Sequence, residues 1–146
     1  MKLSAKSRYA LASLVKMALV HESQPTITVL EIADELEISK IYLERIFSEL
    51  RRGDVVGSIK GSQGGYYLTR APKEITLYDI LHAVEPALFS ENDATVVKTS
   101  QNIERALVEM VYTPMKEGFA KVLTAISLAD ITLEAQGEEG NYMYYL

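Results

Sequence analysis

The sequence predicts a mainly α-helical protein with a small β-hairpin wing: a winged helix-turn-helix domain plus a long C-terminal dimerisation helix. Three observations carry this. Apolar residues recur at helical spacing along most of the 146 residues. Two helical patterns in the first third are joined by a connection that leaves room only for a turn. The one shift to a strand-like, glycine-broken pattern, "VVGSIKGSQGGYYLTR" at 55–70, follows them directly.

The first helix is expected from about Ser4 to His21, with Leu11, Leu14, Val15, Ala18 and Leu19 on one face. Gln24-Pro25 ends it. Thr28 and Glu31 have capping-box spacing, in which hydroxyl and carboxylate satisfy each other's backbone N–H. They open a short helix through Leu36. Ile38 fills a tight connection, and Ser39 is placed to cap a third helix, Lys40 to Arg52. There Leu43, Ile46, Phe47 and Leu50 share one arc. Gly53 stands where a C-cap glycine belongs, and Arg51 and Arg52 before it match the helix dipole. Two short strands and a glycine-rich loop follow, closed by Pro72. Thr76 and Asp79 repeat the capping box for a helix Leu77 to Glu85, stopped by Pro86.

Residues 86–99 have no period and read as a loop. From about Ser100 a long helical pattern runs through Ile103, Leu107, Met110, Val111, Met115, Phe119, Val122, Leu123 and Ile126. Pro114 lies inside it and predicts a kink or break. Ser127 and Asp130 form a third capping box, for a short last helix to about Ala135. The domain plan is therefore 1–85, the loop 86–99, the dimerisation region 100–135 and a tail 136–146. That tail ends on Tyr142, Met143, Tyr144, Tyr145 and Leu146, whereas chain ends are usually polar.

Composition narrows the function classes. With no cysteine, disulfides, thiolate metal sites and cysteine-held iron–sulfur clusters are excluded. The net charge of −5 is uneven: residues 1–70 carry ten Lys/Arg and eight Asp/Glu (+2), residues 71–146 five and twelve (−7). A basic first half and an acidic second half suggest that only the first meets a polyanion. Lys16 interrupts the apolar run near the N-terminus and no small-x-small site follows, so no secretion signal is expected. No apolar run has the length of a membrane span, and a cytoplasmic protein is expected. His21 and His82 are the only histidines, and neither a nucleophile elbow nor a phosphate loop is present, so an enzyme is not expected. Glu91, Asp93 and His82 are too few and too mixed to propose a metal site, and no cofactor is expected.

Helix, short helix, turn, longer helix and hairpin is the order of a winged helix-turn-helix, whose second paired helix enters the major groove of double-stranded DNA. The face of the third helix turned from its apolar arc offers Ser39, Lys40, Ile41, Tyr42, Arg45 and Ser48, with Glu49 beside them. Ile41 is placed to meet a thymine methyl, or is simply an exposed apolar residue. Arg45 reads a guanine edge, or pairs with Glu44 or Glu49. In the wing, Gly64 and Gly65 allow close backbone approach while Lys60, Ser62 and Gln63 reach outward. Lys2, Lys6, Arg8, Arg51 and Arg52 are candidates for phosphate contacts, the alternative for each being a solvated side chain. Tyr112, Met115 and Phe119 form a stripe facing a second copy, or pack against the chain's own first helix. A two-fold dimer would read an imperfect palindrome.

The stretches "MKLSAKSRYAL" (1–11), "EIADELEISKIYLERI" (31–46), "LRRGDVVGSIKGSQGGYYL" (50–68), "EITLYDILHAVE" (74–85) and "VLTAISLADI" (122–131) resemble the Rrf-two family of bacterial transcription regulators. The resemblance spans almost the whole chain, and the Gly-Gly-Tyr wing and the Tyr-Leu-Glu of the third helix are its most specific parts. It implies a homodimer joined through the helix after residue 100, with DNA contacts by the third helix and wing. Ser7 replaces the family's usual glycine and Arg45 its common glutamine. Cluster-binding members carry three cysteines within 86–106, and this chain has none, so no cluster is carried over. The end of the chain is similar to that of the family's cluster-free cysteine-metabolism repressors, whose partner is cysteine synthase. By that likeness Tyr145, Leu146 and the terminal carboxylate would enter the enzyme's pocket. Two further readings stand beside a DNA-binding repressor: an interaction protein that docks an enzyme through its tail, and a regulator answering to an unidentified small ligand.

Overall fold

The structure is a computed structural model that describes the backbone of residues 1–144 and the side chains of residues 1–137. Seven α-helices are described: α1 (Ala5–Val20), α2 (Val29–Leu36), α3 (Lys40–Arg52), α4 (Leu77–Val84), α5 (Gln101–Leu107), α6 (Thr113–Ala125) and α7 (Leu128–Tyr144). The strands β1 (Val56–Ile59) and β2 (Gly65–Leu68) lie between α3 and α4 and pair antiparallel, Val56 opposite Leu68 and Ile59 opposite Gly65.

Most helices start where capping chemistry places them. Ser4 accepts the Ser7 N–H at the start of α1. The boxes at Thr28/Glu31 and Thr76/Asp79 are both closed, and Ser127 and Asp130 exchange the same two bonds at 2.9 and 3.0 Å. Ser39 accepts from Tyr42 N–H at 3.4 Å. The α2–α3 turn depends on Glu37, whose left-handed backbone (φ 54°) lets the Ile38 N–H reach back to the Ala33 carbonyl at 3.0 Å.

The end of α3 departs from expectation. Gly53 does not adopt the left-handed conformation (its φ is −82°); Asp54 does, at φ 58°. Val55 N–H then bonds the Leu50 carbonyl and Asp54 N–H that of Arg51, both at 3.0 Å, completing a Schellman motif one residue later than glycine placement suggests. Position 53 lacks a side chain for a packing reason. A Cβ there would sit 2.5 Å from the Ala83 Cβ, so α4 crosses α3 against bare backbone.

One core joins α1–α4, the wing and the start of α7. Leu14, Ile32, Leu43, Ile46, Phe47, Leu50, Val55, Ile75, Ile80, Val84 and Leu128 are all fully buried in it. Leu128 N–H bonds the Ile75 carbonyl (2.7 Å) and Leu77 N–H that of Ile126 (2.8 Å), which pins the start of α7 beside that of α4.

Three boundaries in the C-terminal half differ from the sequence reading. The stretch expected as a loop, 86–99, opens with a 3₁₀ turn, Pro86–Phe89, because proline at its first position presets φ and its missing N–H goes unneeded there. The expected disturbance at Pro114 takes the form of a π-helical segment, Val108–Tyr112, which precedes the proline and joins α5 to α6. Thr113 N–H bonds Val108, five residues back, and the wider turn absorbs the ring and the missing donor that would break α-helical bonding. Last, α7 continues past Ala135 to Tyr144. It runs through Gly137 and Gly140, each of which costs about 1 kcal/mol against alanine in a helix.

The wing is tied to the domain body. Ile27 and Tyr66 exchange backbone bonds at 3.0 and 2.8 Å, so residue 27 acts as a one-residue third strand. Gly65 makes that approach possible: its φ is +149°, and a Cβ on it would lie 2.6 Å from the Ile27 carbonyl oxygen. Gly65→Ala is expected to break this bridge and destabilise the domain by about 1–3 kcal/mol. Thermal unfolding would show it, and an unchanged midpoint would remove the bridge from the account.

Candidate nucleic-acid interface

The exposed face of α3 and the tip of the hairpin present the predicted side chains to solvent. On α3, Lys40, Ile41, Arg45 and Ser48 are exposed, Ile41 to 81%. The buried arc opposite them is Leu43, Ile46, Phe47 and Leu50, as the period requires. Tyr42 is only half exposed and meets the Tyr9 ring edge-on at 5.8 Å, so α1 buttresses the start of α3. The Ser39 hydroxyl is engaged as the N-cap. Glu44, considered from the sequence only as a partner for Arg45, belongs to the same exposed face and pairs with Lys40 at 3.5 Å. Its position three residues after Ile41 and one before Arg45 was the available signal. A carboxylate there can accept from a cytosine amino group.

In the wing, Lys60, Ser62 and Gln63 are exposed at the tip. The turn is closed by the Gly64 N–H bonding Gly61 at 3.0 Å. A Cβ on Gly64 would lie 2.3 Å from the Ile59 carbonyl oxygen, so the hairpin closes this tightly only without a side chain there. Tyr66 anchors the hairpin against Phe47, ring centroids 4.9 Å apart.

The basic residues divide. None of the ion pairs among the described residues involves Lys2, Arg8, Arg45, Arg51, Arg52 or Lys60. Those cations are available to phosphates or bases. Lys6 is paired: its ammonium lies 3.1 Å from Glu49.

Where the resemblance led to expect glycine, Ser7 is fully buried and donates its hydroxyl to Glu85 at the end of α4. Glu85 also accepts the Ser4 N–H at 3.3 Å. The Ser7 hydroxyl, then Ser4 and the charge of Lys6, hold the Glu85 carboxyl below its ordinary 4.5. A carboxyl depressed in the folded state contributes stability above its unfolded pKa and loses it as pH falls through the folded value. The unfolding midpoint is therefore expected to drop below about pH 4.5, and Ser7→Ala to shrink that acid-dependent part. Parallel curves for the two proteins would exclude the Ser7–Glu85 bond as a source.

Beyond the domain, Tyr112, Met115 and Phe119 all line a groove between α4 and α6, with Tyr78, His82 and Phe89 on its other wall. Phe119 stacks on Phe89 at 5.9 Å, and Phe89 meets Tyr78 at 4.9 Å. Tyr112 and Phe119 are half-buried in this groove, so the chain's own α4 region, not α1, is what they meet. The strongly exposed apolar side chains of the long helix are Ile103, Met110, Met115 and Val122, each more than half exposed. Tyr145 and Leu146 lie outside the described residues.

A family profile described as "Rrf2: Iron-dependent Transcriptional regulator" matches residues 3–134. The chain belongs to the Rrf2 (Rrf-two) family. It is 33% identical over its full length to the HTH-type transcriptional regulator CymR of Bacillus subtilis, and covers all of that protein. Among solved structures it is similar to "CymR (YrzC) the Global Cysteine Regulator of B. subtilis", with a TM-score of 0.72, 28% identity, and coverage of 92% of this chain and 98% of that one. It is also similar to IscR of T. potens, with a TM-score of 0.70, 30% identity, and coverage of 99% and 97%. The expected fold class, a helical winged helix-turn-helix regulator with a C-terminal helix, is borne out.

The residues present do not match the iron in that family description. Thiolates are what hold an iron–sulfur cluster, and the sequence contains no cysteine. In the segment after α4, Glu104 is buried and spends its carboxylate on the Thr95 and Val96 N–H groups (2.8–3.2 Å), while Glu91 pairs with Lys116. This donor set does not fit a cluster. Among the described residues no group of three metal-ligating side chains assembles, and no helix is long and apolar enough to cross a membrane.

Proposed function

We propose that this Rrf2-family regulator is a homodimeric, sequence-specific DNA-binding repressor that works without an iron–sulfur cluster. One observation carries the reading. A capped helix exposes Ile41, Glu44, Arg45 and Ser48 on one face, next to a slender wing tip with Lys60, Ser62 and Gln63 exposed. Ile41 at 81% exposure fits a thymine methyl and Arg45 a guanine edge. Lys2, Arg8, Arg51 and Arg52 supply register on the phosphates. Two copies joined along α5–α6 would read an imperfect palindrome with half-sites one or two turns apart.

The experiment is a salt titration on a duplex enriched from random DNA by the protein itself. The slope of log K against log salt is expected to be strongly negative. Arg51→Gln/Arg52→Gln is expected to make it shallower by roughly 1.8, near 0.9 per lost phosphate contact. Absence of any enriched duplex at low salt would sink the reading.

The similarity to a global cysteine regulator supports control of cysteine metabolism. The apolar chain end, with its likeness to that of the cysteine-metabolism repressors, supports cysteine synthase as a partner of the tail through Tyr145 and Leu146. Its test is binding of that enzyme to the intact chain and to a chain ending at Asn141. Equal affinities would remove the tail as the docking element. The aromatic groove between α4 and α6 favours a second reading, in which a small ligand rather than an enzyme supplies the signal.

A further inference from the structure

Lys6 sits in the first turn of α1, where basic residues near the N-terminus invite assignment to phosphates. Its surroundings point elsewhere. The ammonium lies 3.1 Å from Glu49 Oε2 and donates to Oε1 at 3.3 Å. The pair is mostly sheltered, with side-chain exposures of 31% for Lys6 and 16% for Glu49. Oε2 of Glu49 is closed to solvent and has no hydrogen-bond donor aligned with it, so the Lys6 charge is what compensates it. The Lys40–Glu44 pair on the same helix is different. Both its side chains are more than half exposed, and water can replace either partner.

Glu85 completes the junction. It is anchored by the Ser4 N–H and the Ser7 hydroxyl, and Lys6 lies close enough to favour its charged form. The ammonium thus serves carboxylates from α3 and α4 while rooted in α1. Moving it to a phosphate would leave Glu49 Oε2 sheltered and uncompensated, on the helix that must approach a polyanion. A buried charge stripped of its partner costs more than an exposed phosphate contact returns.

We propose that Lys6 is a positioning residue: through Glu49 it locks α3 onto the start of α1 and neutralises the inner edge of the recognition face, and it makes no phosphate contact. This rests on the DNA-binding reading above. Its readout is the salt slope, which separates the two roles because a phosphate contact contributes about 0.9 to it and a positioning residue contributes nothing.

On the duplex enriched by the wild-type chain, Lys6→Gln is expected to weaken binding roughly threefold or more with the slope unchanged. Glu49→Gln is expected to weaken binding as well, and Lys6→Glu/Glu49→Lys to bind more tightly than either Lys6→Glu or Glu49→Lys alone. Lys6→Arg, which keeps the ion pair, should behave as wild type. The proposal is overturned if Lys6→Gln makes the slope shallower by about 0.9, or if Glu49→Gln binds more tightly, as release of a phosphate-seeking lysine would require. Thermal unfolding of each variant accompanies the titration. Should Lys6→Gln fail to fold, the direction of the Glu49→Gln effect still decides between the roles. A wild-type chain that enriches no duplex overturns the DNA reading itself, whereas a binding wild type with a slope-losing Lys6→Gln overturns only the positioning role.

Discussion

Met115→Glu/Val122→Glu is expected to leave the helical fold intact and turn the protein into a monomer whose DNA affinity is lower by roughly 10²- to 10⁴-fold. The two side chains are seven residues apart on α6 and are 67% and 58% exposed, so neither contributes to the chain's own core. Glutamate is a better helix former than valine, and local stability should not fall. Ile103 and Met110 on the same long helical segment are likewise more than half exposed, apolar surface that a monomer would leave wet. Two charges per copy, placed against their symmetry mates, would oppose association. Each copy would then hold a single half-site, and the affinity gained by linking two readers would disappear. Analytical ultracentrifugation and fluorescence anisotropy on the same samples check it. A variant still dimeric at micromolar concentration would move the interface away from α5–α6.

The largest stability effect is expected at Phe47. Its ring is fully buried where α1, α2, α3 and the wing converge, and it meets Tyr66 at 4.9 Å. Phe47→Ala removes a large buried side chain and leaves a cavity among rigid neighbours, at a cost of about 3–5 kcal/mol. At this chain length that is a fall of roughly 6–20 °C in the unfolding midpoint. Phe47→Leu should cost much less yet loosen the wing, since Tyr66 loses the ring it rests on. For Phe47→Leu the expected pattern is a small fall in the midpoint together with weaker DNA binding. A change of less than about 3 °C for Phe47→Ala would mean that the ring does not hold recognition helix and wing together.

The parts of this protein that were legible in advance are those governed by local chemistry. Ser4, Thr28, Ser39, Thr76 and Ser127 each start a helix because a side-chain oxygen within reach can satisfy backbone donors that have no other partner. The buried arc of α3 follows from its period, and so does the exposure of Ile41 opposite to it. Proline's missing N–H announced trouble near residue 114, and glycine's freedom marked the wing tip. The absence of cysteine, and with it of any thiolate ligand, is legible without geometry.

Other features depended on neighbours that are remote in the chain. Gly53 looked like a left-handed cap, and its need for no side chain comes from Ala83 on another helix. Pro114 predicted a kink or break, and the folded chain passes it through a π segment, Val108–Tyr112, placed before the proline. Lys6 looked free until folding placed Glu49 and Glu85 around it, residues 43 and 79 positions away. Phe119 looked like part of a stripe with Tyr112 and Met115, and the turn after α4 brought Phe89 against its ring.

By itself, then, the sequence determined the element order, the caps, the exposed and buried faces of α3 and the absence of thiolate ligands, because each of these is decided within a few residues by hydrogen bonding, period or composition. The tertiary structure alone decided which charges are free and which are consumed, which glycines serve packing, and how the chain passes Pro114. Those outcomes turn on what stands within a few ångströms after folding, and chain separation carries no record of that distance.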